Sequence, residues 1–134
     1  MKRLALFSLL VLALVLTACA AKPAIFADVT TFDFGEVVNG EVVSRDITIT
    51  NNGKGTLVVE SVSTSCGCTT ATLDPMTLEA GQSGTLHIAF DSGAHGPDLA
   101  GDLTRQIFVV SNDPAQPELL IEFTATVLPP ATDK

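Results

Sequence analysis

The sequence has no tryptophan and no tyrosine, and its aromatic content is seven phenylalanines. An aromatic platform for stacking sugars is therefore not expected. Base is scarce too. Seven Lys and Arg stand against fifteen Asp and Glu, a formal charge of −8. Nucleic acids and anionic bilayer surfaces both recruit Lys and Arg, so this balance argues against either as a partner of the folded part. The surplus acid reads as solubility. From Ile25 onward no window keeps apolar residues at i, i+3 and i+4, so no helix is expected there. Without one, no Gly-rich loop opens onto a helix N-terminus to hold phosphate. No nucleophile elbow and no matched pair of carboxylates stands out, so a non-catalytic protein is expected.

The N-terminus reads as a processing signal. Met1-Lys2-Arg3 is a short positive start, and Leu4 to Leu16 is an almost unbroken apolar run. That run is too short for a comfortable membrane span. Leu16-Thr17-Ala18-Cys19 follows and resembles a bacterial lipobox, in which the cysteine becomes a lipid-modified N-terminus. Residues 1–18 are thus expected to be a lipoprotein signal peptide and Cys19 the lipidation site. Loss of Lys2 and Arg3, with no acid lost, takes the formal charge from −8 to −10. Several acyl chains give durable anchoring where one is marginal. An Asp after the cysteine would resemble an inner-membrane retention signal; Ala20 stands there, favouring the outer membrane where one exists. Residues 20–24 would be a short tether, with a reach below roughly 20 Å at about 3.3–3.6 Å per residue.

Residues 25–128 read as β throughout. Ile25 to Val29 and Thr31 to Phe34 form an opening strand that Gly35 ends. Val42 to Asn51 alternates cleanly, with Val43, Ile47 and Ile49 on one face. Asn51-Asn52-Gly53-Lys54-Gly55 is a turn, since Asn-Gly suits positive φ. Strands follow at Thr56 to Thr64, Thr69 to Leu73, Gly84 to Phe90, Thr104 to Ser111 and Glu118 to Val127. In the last, Leu119, Ile121, Phe123, Ala125 and Val127 face inward. The expected fold is an all-β, immunoglobulin-like antiparallel β-sandwich of about seven strands, with no parallel pairing. Residues 129–134 form a polar tail.

The chemistry concentrates in Ser65-Cys66-Gly67-Cys68-Thr69. Cys66 and Cys68 are the two thiols left once Cys19 carries lipid, in a compartment where disulfides persist. Three states are open. A Cys66–Cys68 disulfide needs a kink, because i and i+2 Cβ atoms in an extended strand lie about 7 Å apart and a disulfide needs about 3.8 Å. Gly67 is the residue expected to allow that kink. As a staple the bond is weak, roughly 1.6 kcal/mol by loop entropy for so small a ring. A soft-metal site is the second state: two thiolates suit Cu(I) or half a zinc site, with His87 or His95 to complete it. Inert thiols packed as small hydrophobes are the third. Asp91, Asp98 and Asp102 lie around a Gly-rich loop but lack the spacing of a calcium loop.

Thr31-Phe32-Asp33-Phe34-Gly35-Glu36-Val37, Ile49-Thr50-Asn51-Asn52-Gly53, Ser65-Cys66-Gly67-Cys68-Thr69 and Ser111-Asn112-Asp113-Pro114 occur in that order over roughly Phe26 to Val127. This series resembles a bacterial immunoglobulin-like domain-of-unknown-function family marked by the Ser-Cys-Gly-Cys-Thr segment. That family is similar in build to major-sperm-protein and Hydin-type domains. One departure is Ala80-Gly81, where the family more often carries Pro-Gly. The resemblance implies the fold and leaves the activity open. The expectation is a lipid-anchored, extracytoplasmic module facing the periplasm or exterior. It would hold another envelope protein, with no cofactor, and strand addition at a sheet edge is one physical mode. The rival expectation is a thiol-redox or copper-handling factor working through Cys66 and Cys68.

Overall fold

The computed structural model describes residues 20–130. The expected signal peptide, Cys19 and the last four residues of the tail lie outside the described residues. Two sheets pack face to face. The first holds β1 (Ile25–Ala27), β3 (Val42–Asn51), β7 (Ser83–Asp91) and β5 (Thr69–Asp74), in the order β1-β3-β7-β5. The second holds β2 (Thr31–Val38), β9 (Glu118–Leu128), β8 (Gly101–Ser111), β4 (Leu57–Thr64) and β6 (Thr77–Leu78), in the order β2-β9-β8-β4-β6. The expected immunoglobulin-like sandwich is the fold of the chain.

Period-two patterning builds it. Each strand turns alternate residues inward, so the two inner faces interdigitate as one core. Ile47 and Ile49 of β3, Leu86, Ile88 and Phe90 of β7, Ile107 and Val109 of β8, and Ile121 and Phe123 of β9 are buried. Four phenylalanines meet in this core. The ring of Phe123 lies 5.6 Å from Phe32, 5.0 Å from Phe34 and 5.5 Å from Phe90. Edge-on and offset geometries of this kind add to the area they bury.

Several expectations need correction. Among the described residues the strands number nine, because β6 is added and the opening strand is two: β1 joins the first sheet through β3, and β2 crosses to the second. The break at residues 28–30 is that crossing. β2 continues through Gly35, whose φ of 73° makes a bulge, to Val38. It pairs with β9 in parallel, against the expectation of none. The second and last strands lie side by side, and the chain between them returns through six others, so no helical crossover is needed. The two-residue β6 falls between the expected strands Thr69 to Leu73 and Gly84 to Phe90, beyond the cis Asp74–Pro75 peptide. β8 begins at Gly101, three residues early.

The strands define two ends. At one end are the β3–β4 turn (residues 52–56), residues 112–117 and the start of β1. At the other are residues 39–41, 65–68 and 92–100. The tether is not free. Lys54 and Gly55 both donate N–H bonds to the Lys22 carbonyl, and Asn52 N–H donates to Ala24 O. This changes the reading of the Asn-Gly turn. Gly53 has no positive φ. A Cβ at Gly53 would strike the backbone of Lys22–Ala24, and one at Gly55 the Ala21 carbonyl. The glycines make room for the incoming chain.

The Ser-Asn-Asp-Pro turn closes the same end. Asn112 Oδ1 accepts from Val58 N–H, and its Nδ2 donates to Thr56 O. Asp113 is buried. Its carboxylate accepts from Ile25 N–H at 2.9 Å and Ala115 N–H at 2.8 Å. Burial alone would push this carboxyl up, but backbone N–H groups of Ile25, Ala115 and Gln116 outweigh it and hold it below its ordinary value. A lowered folded value means the stabilisation is present above the unfolded pKa and is lost as pH falls through the folded one. Asp113→Asn is therefore expected to cost about 2 kcal/mol at pH 7. The gap to wild type should narrow as pH drops below about 4. Urea unfolding at pH 7 and pH 3 checks this; a gap that does not change with pH would sink it.

Candidate functional site

β4 and β5 belong to different sheets, and the Ser-Cys-Gly-Cys-Thr segment is the bridge between them. Thr69 N–H donates to Cys66 O at 3.4 Å, closing a turn. That turn brings the Cα atoms of Cys66 and Cys68 to 5.3 Å, and a disulfide joins them. Of the three states open in the sequence, the structure has this one. The kink is present, but Gly67 does not have the left-handed backbone that would demand glycine. A Cβ there would meet nothing within 4 Å. What the missing side chain leaves is a bare outer face over the ring of the disulfide.

The two sulfurs differ. Cys68 is 2% exposed and part of the core, whereas Cys66 is half-buried at the rim. Arg105 Nε donates to Cys68 Sγ at 3.2 Å. Cys68 N–H lies 3.2 Å from Cys66 Sγ. The Thr69 hydroxyl is 3.6 Å from Cys66 Sγ and 3.7 Å from Cys68 Sγ. Thr64 Oγ1 donates to the carbonyls of Cys66 and Thr69, both at 3.0 Å, and Gln106 N–H donates to Ser65 Oγ. The polar residues flanking the cysteines are thus the braces of the bend.

His95 joins the pair. A ring nitrogen of His95 and the two sulfurs lie within 4.8 Å of one another, and His95 is exposed. Its loop is held by Asn39, whose Nδ2 donates to Gly96 O and Leu99 O, both at 2.9 Å. Ser92, fully buried, ties the loop's start to Val38 O and Glu41 O. His87 is not at this site. It stands on the outer face of β7, with Nδ1 2.6 Å from Asp46 Oδ1 on β3. Among the described residues, Cys66, Cys68 and His95 are the group with ligand spacing for a metal. The thiolates such an ion needs exist only when the disulfide is open. Asp91, Asp98 and Asp102 form no such group; Asp91 caps Gly93 N–H and Asp102 accepts from Thr126 Oγ1.

Arg105 escaped the sequence reading, although a signal was there. Leu103, Ile107 and Val109 set the inward phase of β8, and Arg105 falls in that phase. A guanidinium aimed inward needs a partner, and Cys68 supplies it.

Comparison with known proteins agrees with this architecture. The family model described as "Protein of unknown function (DUF1573)" matches residues 25–127. No curated protein matches the chain. A solved protein of unknown function from Porphyromonas gingivalis W83 is similar at 27% identity and a TM-score of 0.69, over 83% of this chain and 50% of that one. The chain thus spans half the length of that relative. The ASH/PapD-like domain 7 of human CEP192 is similar at 13% identity and a TM-score of 0.60, over 83% and 89%. The VesB protease of Vibrio cholerae is similar at 13% identity and a TM-score of 0.60, over 78% and 32%. At such identities the last two show the fold alone.

Proposed function

The chain belongs to the family of proteins of unknown function DUF1573, and on that premise we propose a lipid-anchored, extracytoplasmic binding module that holds an extended segment of another envelope protein. The observation that carries the reading is the free edge of β5. β1 is three residues long, β6 two, and β2 is bulged, which blunts those edges. β5 has six residues, no proline, no lysine and no bulge. Its ladder phase follows from one bond. Asp91 N–H donates to Cys68 O, so Thr70, Thr72 and Asp74 bond to β7 while Ala71 and Leu73 turn their N–H and C=O outward. An added strand would pair there, beginning beside the disulfide.

Ala71→Pro tests this, because it deletes an outward donor and spares the ladder. A photo-crosslinker at Thr72, on the exposed face, is expected to capture an envelope protein in whole cells, and Ala71→Pro to abolish the product. Unchanged crosslinking in a folded Ala71→Pro protein would refute strand addition. For the anchor, Cys19→Ser should end incorporation of labelled palmitate and move the chain to the soluble fraction. A wild-type chain that takes no label would sink the lipoprotein reading.

A second reading has its own support: His95 and Arg105 surround the two sulfurs. It is thiol exchange, or Cu(I) binding by the reduced pair with His95. A native mass spectrum of the reduced chain titrated with Cu(I) tests the latter. A bound ion lost in a Cys66→Ser, Cys68→Ser double variant supports it, and no bound ion refutes it.

A further inference from the structure

We propose that the Cys66–Cys68 disulfide exchanges with a protein dithiol in one direction, with Cys66 Sγ as the sulfur attacked and Cys68 Sγ as the leaving group. This rests on the thiol-redox reading above. Three independent features point the same way. Access is the first: Cys66 is half-buried at the rim, while Cys68 is 2% exposed beneath it. An attacking thiolate must line up behind the bond it breaks, and the open side of that bond is the Cys66 side. Gly67 is the second. With open space at its Cβ position, a protein backbone can lie over the disulfide without meeting a side chain.

Charge is the third. A leaving sulfur carries negative charge as the bond breaks, and Arg105 Nε already sits 3.2 Å from Cys68 Sγ. Among the described residues no cationic group is bonded to Cys66 Sγ, which instead receives Cys68 N–H. The guanidinium thus favours release of Cys68 over release of Cys66 in the first step. Orientation is kept by β8, whose Arg105 pairs with Phe123 of β9 in a rigid ladder. His95, within 4.8 Å of both sulfurs, is placed to take the proton of the incoming thiol.

The steps balance. The first partner thiol loses its proton and bonds to Cys66 Sγ; the Cys66–Cys68 bond breaks, and Cys68 leaves with the electron pair, as a thiolate against Arg105. The partner's second thiolate then attacks the partner's first sulfur. The mixed disulfide breaks, and Cys66 leaves with its pair beside Cys68 N–H. The partner dithiol has been oxidised to a disulfide, and the Cys66–Cys68 pair has gained two electrons and two protons. Each chain carries out one exchange.

The test uses the full chain, purified in detergent without reductant. Reduced glutathione is added, the mixture is quenched with N-ethylmaleimide, and the two cysteines are mapped by mass spectrometry. The expected trapped species has glutathione on Cys66 and maleimide on Cys68, in about tenfold excess over the reverse. Reaction with equal or reversed labelling would overturn the direction and leave the redox reading standing. A disulfide that neither glutathione nor dithiothreitol opens in the folded chain would overturn both. Arg105→Gln should slow opening by about tenfold, and Arg105→Lys should recover most of that rate. Equal rates in all three would remove Arg105 from the argument and overturn the leaving-group assignment. Gly67→Leu should keep the thermal midpoint while slowing reduction by a dithiol peptide more than by dithiothreitol. An equal effect on the two reductants would overturn the claim of access from that side.

Discussion

Asn51→Ala is expected to cost about 3 kcal/mol and lower the melting temperature on the order of 12 °C. The side chain is wholly buried, and all of its hydrogen-bonding capacity is used. Nδ2 donates to Gly55 O at 2.7 Å and Leu78 O at 2.9 Å. Oδ1 accepts from Gly53 N–H at 3.0 Å and Ala24 N–H at 3.2 Å. One amide thereby joins the tether, the β3–β4 turn and β6. Alanine strands two carbonyls and two N–H groups in one place. Asn51→Asp should be no better, since it keeps the acceptor but sets a carboxylate oxygen against two carbonyls. Differential scanning calorimetry checks both, and a loss under about 1 kcal/mol would mean the amide is incidental.

Phe123→Ala is expected to cost about 3–5 kcal/mol, the range for removing a buried phenylalanine. Phe123 is fully buried and touches the rings of Phe32, Phe34 and Phe90, so it binds β2, β7 and β9 across the sandwich. Close-packed neighbours on rigid strands cannot collapse into the space, which places the cost toward the upper part of the range. Phe26→Ala is the contrast. Phe26 is 50% exposed, and its loss should stay within about 0.5 kcal/mol. Equilibrium denaturation in guanidinium measures the pair; similar costs would contradict the core assignment.

Alternation made most of the fold legible. β9 carries five inward residues at period two and β3 four, and their faces were readable from the sequence. Pairing direction was not, because alternation is blind to which neighbour a strand takes; hence the parallel β2–β9 pair. β6 was invisible because two residues carry no period. Gly53 and Gly55 read as turn residues because their real constraint is a contact with residues some thirty positions away. At the site, the two cysteines announced themselves, standing one residue apart in the sequence. His95 and Arg105 did not, since their nearness to sulfur depends on how residues 92–100 fold back and how β8 is registered against β4. Arg105 still left a trace, a cation in the apolar phase of a strand.

The tether and the disulfide lie at opposite ends of β4. Eight residues at about 3.3 Å put roughly 26 Å between those ends. The backbone is pinned to the domain from Lys22 onward, so an acylated Cys19 would leave almost no slack. On the proposed anchor, the sulfur pair would be a group carried at a set height, sweeping a thin layer parallel to the lipid as the anchor diffuses. Encounters would be confined to that layer. A membrane neighbour whose reactive segment rises only half as far would pass underneath, and one that reaches the layer would meet the pair again and again, at an effective concentration set by area rather than volume.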